Sequence, residues 1–231
     1  MQVLLFLHRL YFFVILNIRN KKTYKMKKII FLFIISSLIS IKGIGLTLSP
    51  ETEVSILTCA PGNELYSLFG HTAIRINDPR HQIDRVYNYG TFDFSTPHFY
   101  LKYARGLLPY QLTVQKFSHF IYNYQLEERT VYAQTIRLDS LEKQRIFDLL
   151  EENLLPQNRY YLYNFLFDNC TTRSRDILLK SLPDSVAWNM PDVNKNFWNL
   201  LDEYLQASPW VQWGIHTILG QRGNRMATTF Q

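Results

Sequence analysis

Cys170 and His71 are the two side chains in this sequence whose types and settings suit the making and breaking of an acyl bond. Cys170 follows the aromatic run Tyr160–Asp168 and precedes Thr171–Leu182, a stretch with helical spacing. The thiol therefore sits at or just before a first helical turn, where unpaired amides and the helix dipole favour a thiolate. Asp168 or Asn169 can cap that helix, and Arg173 and Arg175 add positive potential nearby. A thiol needs a base to take its proton, and histidine is the usual one. His8 lies near the start of the chain, His81 in a polar turn, and His98, His119 and His216 lack ionisable neighbours in the sequence. His71 opens a strand directly after Phe69–Gly70. Alternation puts it on one face with Ala73, whose small side chain would let a helix come close. A third group must orient the imidazole. The next strand offers Asp84, Asn88 and, beyond it, Asp93. Asn88 is the candidate, because a polar side chain in mid-strand among aromatics needs a partner. The predicted catalytic set is Cys170, His71 and Asn88.

Other roles fit the same residues. Cys170 can be a small buried hydrophobe or half of a disulfide with Cys59 in an oxidising compartment. Cys59, in an apolar strand before a Pro–Gly turn, reads as core. Asn88 can cap backbone at a strand end. Tyr87, Tyr89, Phe92, Phe94, Phe99 and their fellows read mostly as core, with a minority lining an acyl-binding groove. Two cysteines exclude a four-cysteine zinc site; no metal or cofactor is expected.

The elements that must position these residues follow from patterning. Glu53–Cys59 reads as a strand, Pro61–Asn63 as a turn, and Glu64–Phe69 as a short helix ended by Gly70. His71–Ile76 and Ile83–Tyr89 read as a hairpin around Asn77–Pro79. Pro97–Arg105 and Phe117–Glu127 read as helices, Gln111–Val114 and Thr130–Leu138 as strands. Asp139–Asn153 is the clearest helix: Asp139 and Glu142 have capping-box spacing, and Pro156 lies just beyond the end. Tyr160–Asp168 reads as an aromatic strand, and Asn194–Leu205 and Trp210–Leu219 as weaker helices. After Gly220 the chain turns polar with no closing element and reads as a frayed tail or as C-terminally short. Strands of antiparallel character with segregated helices make the class α+β rather than doubly wound.

Length and charge bound the rest. The chain has 231 residues, 47% hydrophobic and 15% aromatic, which excludes a disordered chain. Its net charge of +6 invites a nucleic-acid reading. Residues 1–45, however, hold eight basic and no acidic residues (+8), and residues 46–231 hold 17 basic against 19 acidic (−2). The body is weakly acidic, and no nucleic-acid partner is expected. From Met26, two lysines, the apolar run Ile29–Ile41 and the small residues Gly43 and Gly45 have the three-part layout of a secretory signal. The run falls short of the ~20 residues of a membrane span, and no cysteine follows it to accept lipid. Residues 1–25 read as an extension before the true start, or Leu4–Ile18 as an anchor. Residues 1–45 are thus a leader and 46–231 one domain.

Three blocks carry a resemblance: LTCAPGNELYSLFGHTAIRIND, RVYNYGTFDFSTPHFYLKYARG and NRYYLYNFLFDNCTTRSRDIL. With the later PWVQWGIHTILG, they resemble the Lnb N-terminal periplasmic domain family over roughly residues 50–220. That family is similar to circularly permuted papain-like enzymes of the NlpC and lecithin retinol acyltransferase kinds, in which a strand histidine precedes a cysteine that begins a helix. The resemblance implies a papain-like α+β fold and a Cys170–His71 dyad. It implies that Cys170 takes an acyl chain from a phospholipid as a thioester and passes it to the N-terminal amine of a lipoprotein. Amides at the start of the Cys170 helix would bind the oxyanion. It also implies an exported, periplasmic, membrane-associated protein. Members can carry a C-terminal transmembrane portion, for which nothing here qualifies. Alternatives are a cysteine amidase, peptidase or phospholipase of the envelope, or a non-catalytic module that binds lipid or peptide.

Overall fold

Two glycines and an asparagine shape the end of the sheet where the candidate residues meet. A computed structural model describes residues 45–182 and 194–227. Residues from Thr47 onward form one compact unit. The signal sequence expected from Met26, and the rest of the leader up to residue 44, lie outside the described residues.

Six strands, β1 (Glu53–Cys59), β2 (His71–Asp78), β3 (Ile83–Thr91), β4 (Pro109–Lys116), β5 (Val131–Thr135) and β6 (Tyr160–Leu162), form one sheet in the order β5-β1-β2-β3-β4-β6. Every neighbouring pair is antiparallel. The helices are α1 (Phe99–Ala104), α2 (Phe117–Leu126), α3 (Ser140–Leu154), α4 (Cys170–Ser181), α5 (Phe197–Leu205) and α6 (Pro209–Leu219), with 3-10 turns at Leu65–Ser67 and Gly220–Asn224. This is the α+β class.

Strand alternation splits the apolar side chains between two faces. On one face Val54, Ile74, Ile76, Tyr87 and Tyr89 pack against Ile146 and Leu150 of α3 and Ile177 and Leu178 of α4. On the other, Leu57, Cys59, Ala73 and Val86 pack against Phe120 of α2. The face bearing Ala73 therefore meets α2 and not α4, contrary to the expectation that Ala73 makes room for the Cys170 helix. A third cluster joins Leu201 and Leu205 of α5 to Leu166, with Phe69 and Phe165 against it. One end of the β2–β3 hairpin is pinned by Asp78, which is fully buried and accepts from the Ser49 amide (2.8 Å), the Ser49 hydroxyl (2.8 Å) and His81 Nδ1 (2.8 Å).

Helix ends follow the local chemistry. Asp139 and Glu142 form the expected capping box at α3. Tyr160–Asp168 departs from expectation: only Tyr160–Leu162 is strand. The Asn164 side-chain oxygen accepts from the amides of Leu166 and Phe167 (3.2 Å each) and folds the remainder into a turn. Residues 220–227 are also more ordered than their polarity implied. Gly220–Asn224 is a 3-10 turn, Met226 bridges to Asn196, and Ala227 is buried.

Candidate active site

The block FDNCTTR builds the start of α4 residue by residue. Asn169 is the cap: its side-chain oxygen accepts from the Thr171 and Thr172 amides (2.9 Å each), and the Thr172 hydroxyl accepts from the Asn169 amide (2.9 Å). The Asn169 side-chain nitrogen donates to Phe165 O at 2.9 Å, tying the cap to the preceding turn. Asp168 does not cap. It takes a two-pronged hydrogen bond from Arg173 (2.6 and 2.8 Å), whose guanidinium lies 3.5 Å above the centre of the Tyr161 ring. Arg175 is likewise turned onto Asp176, at 2.7 Å. The two arginines, expected to lend Cys170 their charge, are thus compensated locally.

Cys170 is the first residue of α4 and is half-buried. It reaches the sheet where β2 begins and β3 bulges. Between Asn88 and Thr91 the β3–β4 register slips, so that three steps along β3 match two along β4. Gly90 in that bulge has φ +90°, and a Cβ there would lie 3.7 Å from both Cys170 Cβ and Tyr163 Cε2. The close approach expected through Ala73 is made at Gly90 instead. A hydrogen bond between Thr171 and Thr72 hydroxyls (2.9 Å) fastens the helix to β2 beside the thiol.

His71 meets this thiol from the first position of β2. Gly70 ahead of it has φ +72°, and a Cβ there would fall 2.5 Å from Cys59 O, so the Phe-Gly-His turn admits no larger residue. His71 Nε2 lies 3.2 Å from Asn88 Oδ1, and Asn88 Nδ2 donates to Val86 O at 3.3 Å. Because that amide nitrogen is committed to Val86, the oxygen faces the imidazole. An acceptor at that place favours the tautomer with its proton on Nε2, which leaves Nδ1 as the nitrogen for the thiol. The other two candidates for this place are engaged elsewhere: Asp84 pairs with Arg75 (2.7 and 2.9 Å) and Asp93 accepts from the Ser95 amide (2.8 Å).

The electrostatics favour a thiolate. Burial pushes the Cys170 thiol up, but the hydrogen bond and charge of His71, the Thr72 amide and the Thr171 hydroxyl outweigh it and hold the thiol below its ordinary value. Cys59 is the opposite case: 2% exposed and pushed up to about 11 by burial. Neither cysteine is in a disulfide. The sequence gives no sign of Tyr161 and Tyr163 as neighbours of the thiol. Burial lifts both phenols well above their usual range, and the Cys170 charge adds to it, so both remain hydroxyl donors at neutral pH. The Thr171 and Thr172 amides are taken by Asn169, so they are not the donors that the resemblance would assign to an oxyanion.

Among the described residues, three other histidines are placed in settings of their own. His81 pairs with Asp78 (2.8 Å), His216 pairs with Asp202 (2.8 Å) and stacks on Trp198, and His119 is exposed. Asp78 lies three residues before His81, whereas the partner of His216 lies outside its sequence neighbourhood.

An antiparallel α+β domain that sets a helix-initial cysteine against a strand histidine, itself held by an asparagine on the next strand, has the geometry of a thiol site. The chain belongs to the Lnb N-terminal periplasmic domain family, whose model matches residues 47–202. The match takes in the whole sheet, α4 and the three residues of the site, and makes this a periplasmic domain. No curated protein and no solved structure matches the chain. Among the described residues no helix is long and apolar enough to cross a membrane.

Proposed function

We propose that this chain is a cysteine-dependent acyltransferase of the cell envelope, with a papain-like topology permuted so that the histidine precedes the nucleophile. The observation that carries the reading is the Cys170 thiol, lowered by His71 while Asn88 holds the far side of the imidazole. In this mechanism His71 Nδ1 takes the thiol proton, and the sulfur attacks the carbonyl carbon of a phospholipid ester. The carbonyl becomes an oxyanion. Its collapse breaks the ester C–O bond, and the lyso-phospholipid oxygen leaves with the proton from His71. The thioester then meets the α-amine of a lipoprotein. The new C–N bond forms, the C–S bond breaks, and the amine proton passes to His71. A thioester suits an amine acceptor because thiolate leaves readily, dividing one difficult step into two easier ones.

The test is acid trapping of the protein after incubation with phospholipid carrying a labelled acyl chain. A hydroxylamine-labile label on Cys170 is expected, absent in Cys170→Ala and His71→Ala. Cys59→Ala retains it at reduced stability. Full acyl transfer by Cys170→Ala overturns the mechanism. A hydrolase is the second reading, an amidase, peptidase or phospholipase of the envelope. It is favoured by one observation: Cys170 and His71 are both half-buried rather than sealed, so water can reach the acyl-enzyme. The ratio of free fatty acid to acylated amine separates the two.

A further inference from the structure

The thiol lies at the inner end of a continuous run of aromatic rings that opens at the surface. Tyr163, in contact range of Gly90 beside Cys170, stacks on Tyr110 with ring centres 4.3 Å apart. Tyr110 meets Phe92 at 5.2 Å, and Phe92 meets Phe94 at 5.0 Å and Tyr66 at 6.2 Å. Phe94 packs on Phe99 at 4.9 Å, which stacks on Tyr103. The outer members are open to solvent: Phe94 is 61% exposed and Tyr66 58%. Leu65, beside Tyr66, and Leu101, on α1, are exposed as well. Packing alone gives no reason to keep such large apolar side chains in water, and contiguous exposed rings mark a binding surface.

Charge narrows the occupant. Helix α1 contains no acidic residue and carries Lys102, with Arg105 at its end. Among the described residues neither cation has an ion pair. Two carboxylates lie on these segments: Asp93, which accepts from the Ser95 amide, and exposed Glu64 ahead of Leu65. Apolar rings flanked by unpaired cations match the two layers of a phospholipid surface, acyl chains below and phosphate above. A peptide would ask for backbone hydrogen-bond partners along the track, and ring faces supply none.

Resting on the acyltransferase reading, we infer that the exposed rings of Tyr66, Phe94 and Tyr103 dock this domain on a phospholipid bilayer. The track through Phe92, Tyr110 and Tyr163 leads one acyl ester from that surface to Cys170.

The experiment uses the full chain carrying Cys170→Ala and Phe94→Cys, labelled with an environment-sensitive thiol dye. Cys59 is too buried to take the dye. Vesicles of phosphatidylethanolamine and phosphatidylglycerol are expected to shift the emission to the blue, with quenching by brominated acyl chains. The same dye at Tyr132→Cys, on an open position of the far edge strand, is expected to show neither. In the otherwise unaltered chain, Tyr66→Glu with Phe94→Glu is expected to lower acyl label on Cys170 from vesicle lipid about tenfold or more. No shift at position 94, or an equal shift at position 132, overturns the surface. If Cys170 takes the acyl label while position 94 stays silent, the surface is wrong and the acyltransferase reading stands. If position 94 enters the bilayer and Cys170 is never acylated, the surface stands and the acyltransferase reading falls.

Discussion

Asn88 Oδ1 sits 3.2 Å from His71 Nε2 while the same amide donates to Val86 O, so the sheet itself turns an acceptor toward that imidazole nitrogen. The hydrogen bond to Val86 rules out the flipped amide, which would turn a second donor toward Nε2. The arrangement favours a histidine that presents its lone pair to Cys170.

Removing the Asn88 acceptor should therefore cost rate before it costs fold. Asn88→Ala is expected to slow acylation of Cys170 about 10- to 100-fold, because the imidazole is then free to adopt the wrong tautomer or turn away. Asn88→Asp keeps an acceptor at the same place and should retain more of the rate. Single-turnover acylation of the folded fraction measures both. A rate in Asn88→Ala equal to that of the parent would show that His71 needs no such support.

The two thiols should separate cleanly with pH. Cys170 is held below its ordinary value, so its thiolate persists to lower pH. Its alkylation rate should reach half-maximum at a lower pH than that of an ordinary free thiol and be lost as pH falls through that point. His71→Ala removes the hydrogen bond and the charge but leaves the burial, so the half-point should move up relative to the parent. Cys59, pushed up to about 11 and enclosed, should stay unmodified throughout. Alkylation followed residue by residue with mass spectrometry is the measurement. A half-point unmoved in His71→Ala would remove His71 from the thiol's surroundings.

What the sequence revealed of this site is local chemistry. Asn169 ahead of Cys170 announces a helix start, Gly70 ahead of His71 announces a turn into a strand, and a polar Asn88 among aromatics asks for a partner. Each signal lies within a few residues of its effect. The face that α4 covers was not legible, because the deciding feature is the β3 bulge at Gly90, and a bulge depends on pairing with a strand some twenty residues away. The compensation of Arg173 by Asp168 was hidden because spacing alone does not say which of two acidic or amide groups caps the helix. The length of β6 was overread for a similar reason: aromatic residues favour strands, but the Asn164 side chain holds the backbone in a turn. The 3-10 turn after Gly220 rests on pairing with Lys195 and Asn196, beyond the reach of local polarity.

The two glycines near the thiol should differ in what they tolerate. Gly70→Ala meets a backbone oxygen at 2.5 Å and keeps a positive φ, so a loss of more than ~2 kcal/mol is expected. Gly90→Ala finds ordinary contact distances of 3.7 Å and pays only for its φ of +90°, about 1 kcal/mol. Denaturant midpoints of the two variants provide the comparison. Equal losses would mean that the approach of β2 to Cys59 is looser than described.

Arg173 offers the sharpest contrast with the expectation drawn from charge alone. It stands three residues from the thiol, but it is paired with Asp168 and stacked on Tyr161, and it is not among the leading influences on Cys170. Its work is to join the helix start to β6. Arg173→Lys keeps the positive charge but loses both the two-pronged geometry and the flat stacking surface. The ion pair is partly exposed and worth little, and the ring contact adds a comparable amount, so a loss of about 1 kcal/mol in stability is expected. The pH at half-maximal Cys170 alkylation should stay where it is in the parent, in contrast to His71→Ala. An upward shift in Arg173→Leu comparable to that of His71→Ala would show instead that the guanidinium, and not the histidine alone, sustains the thiolate.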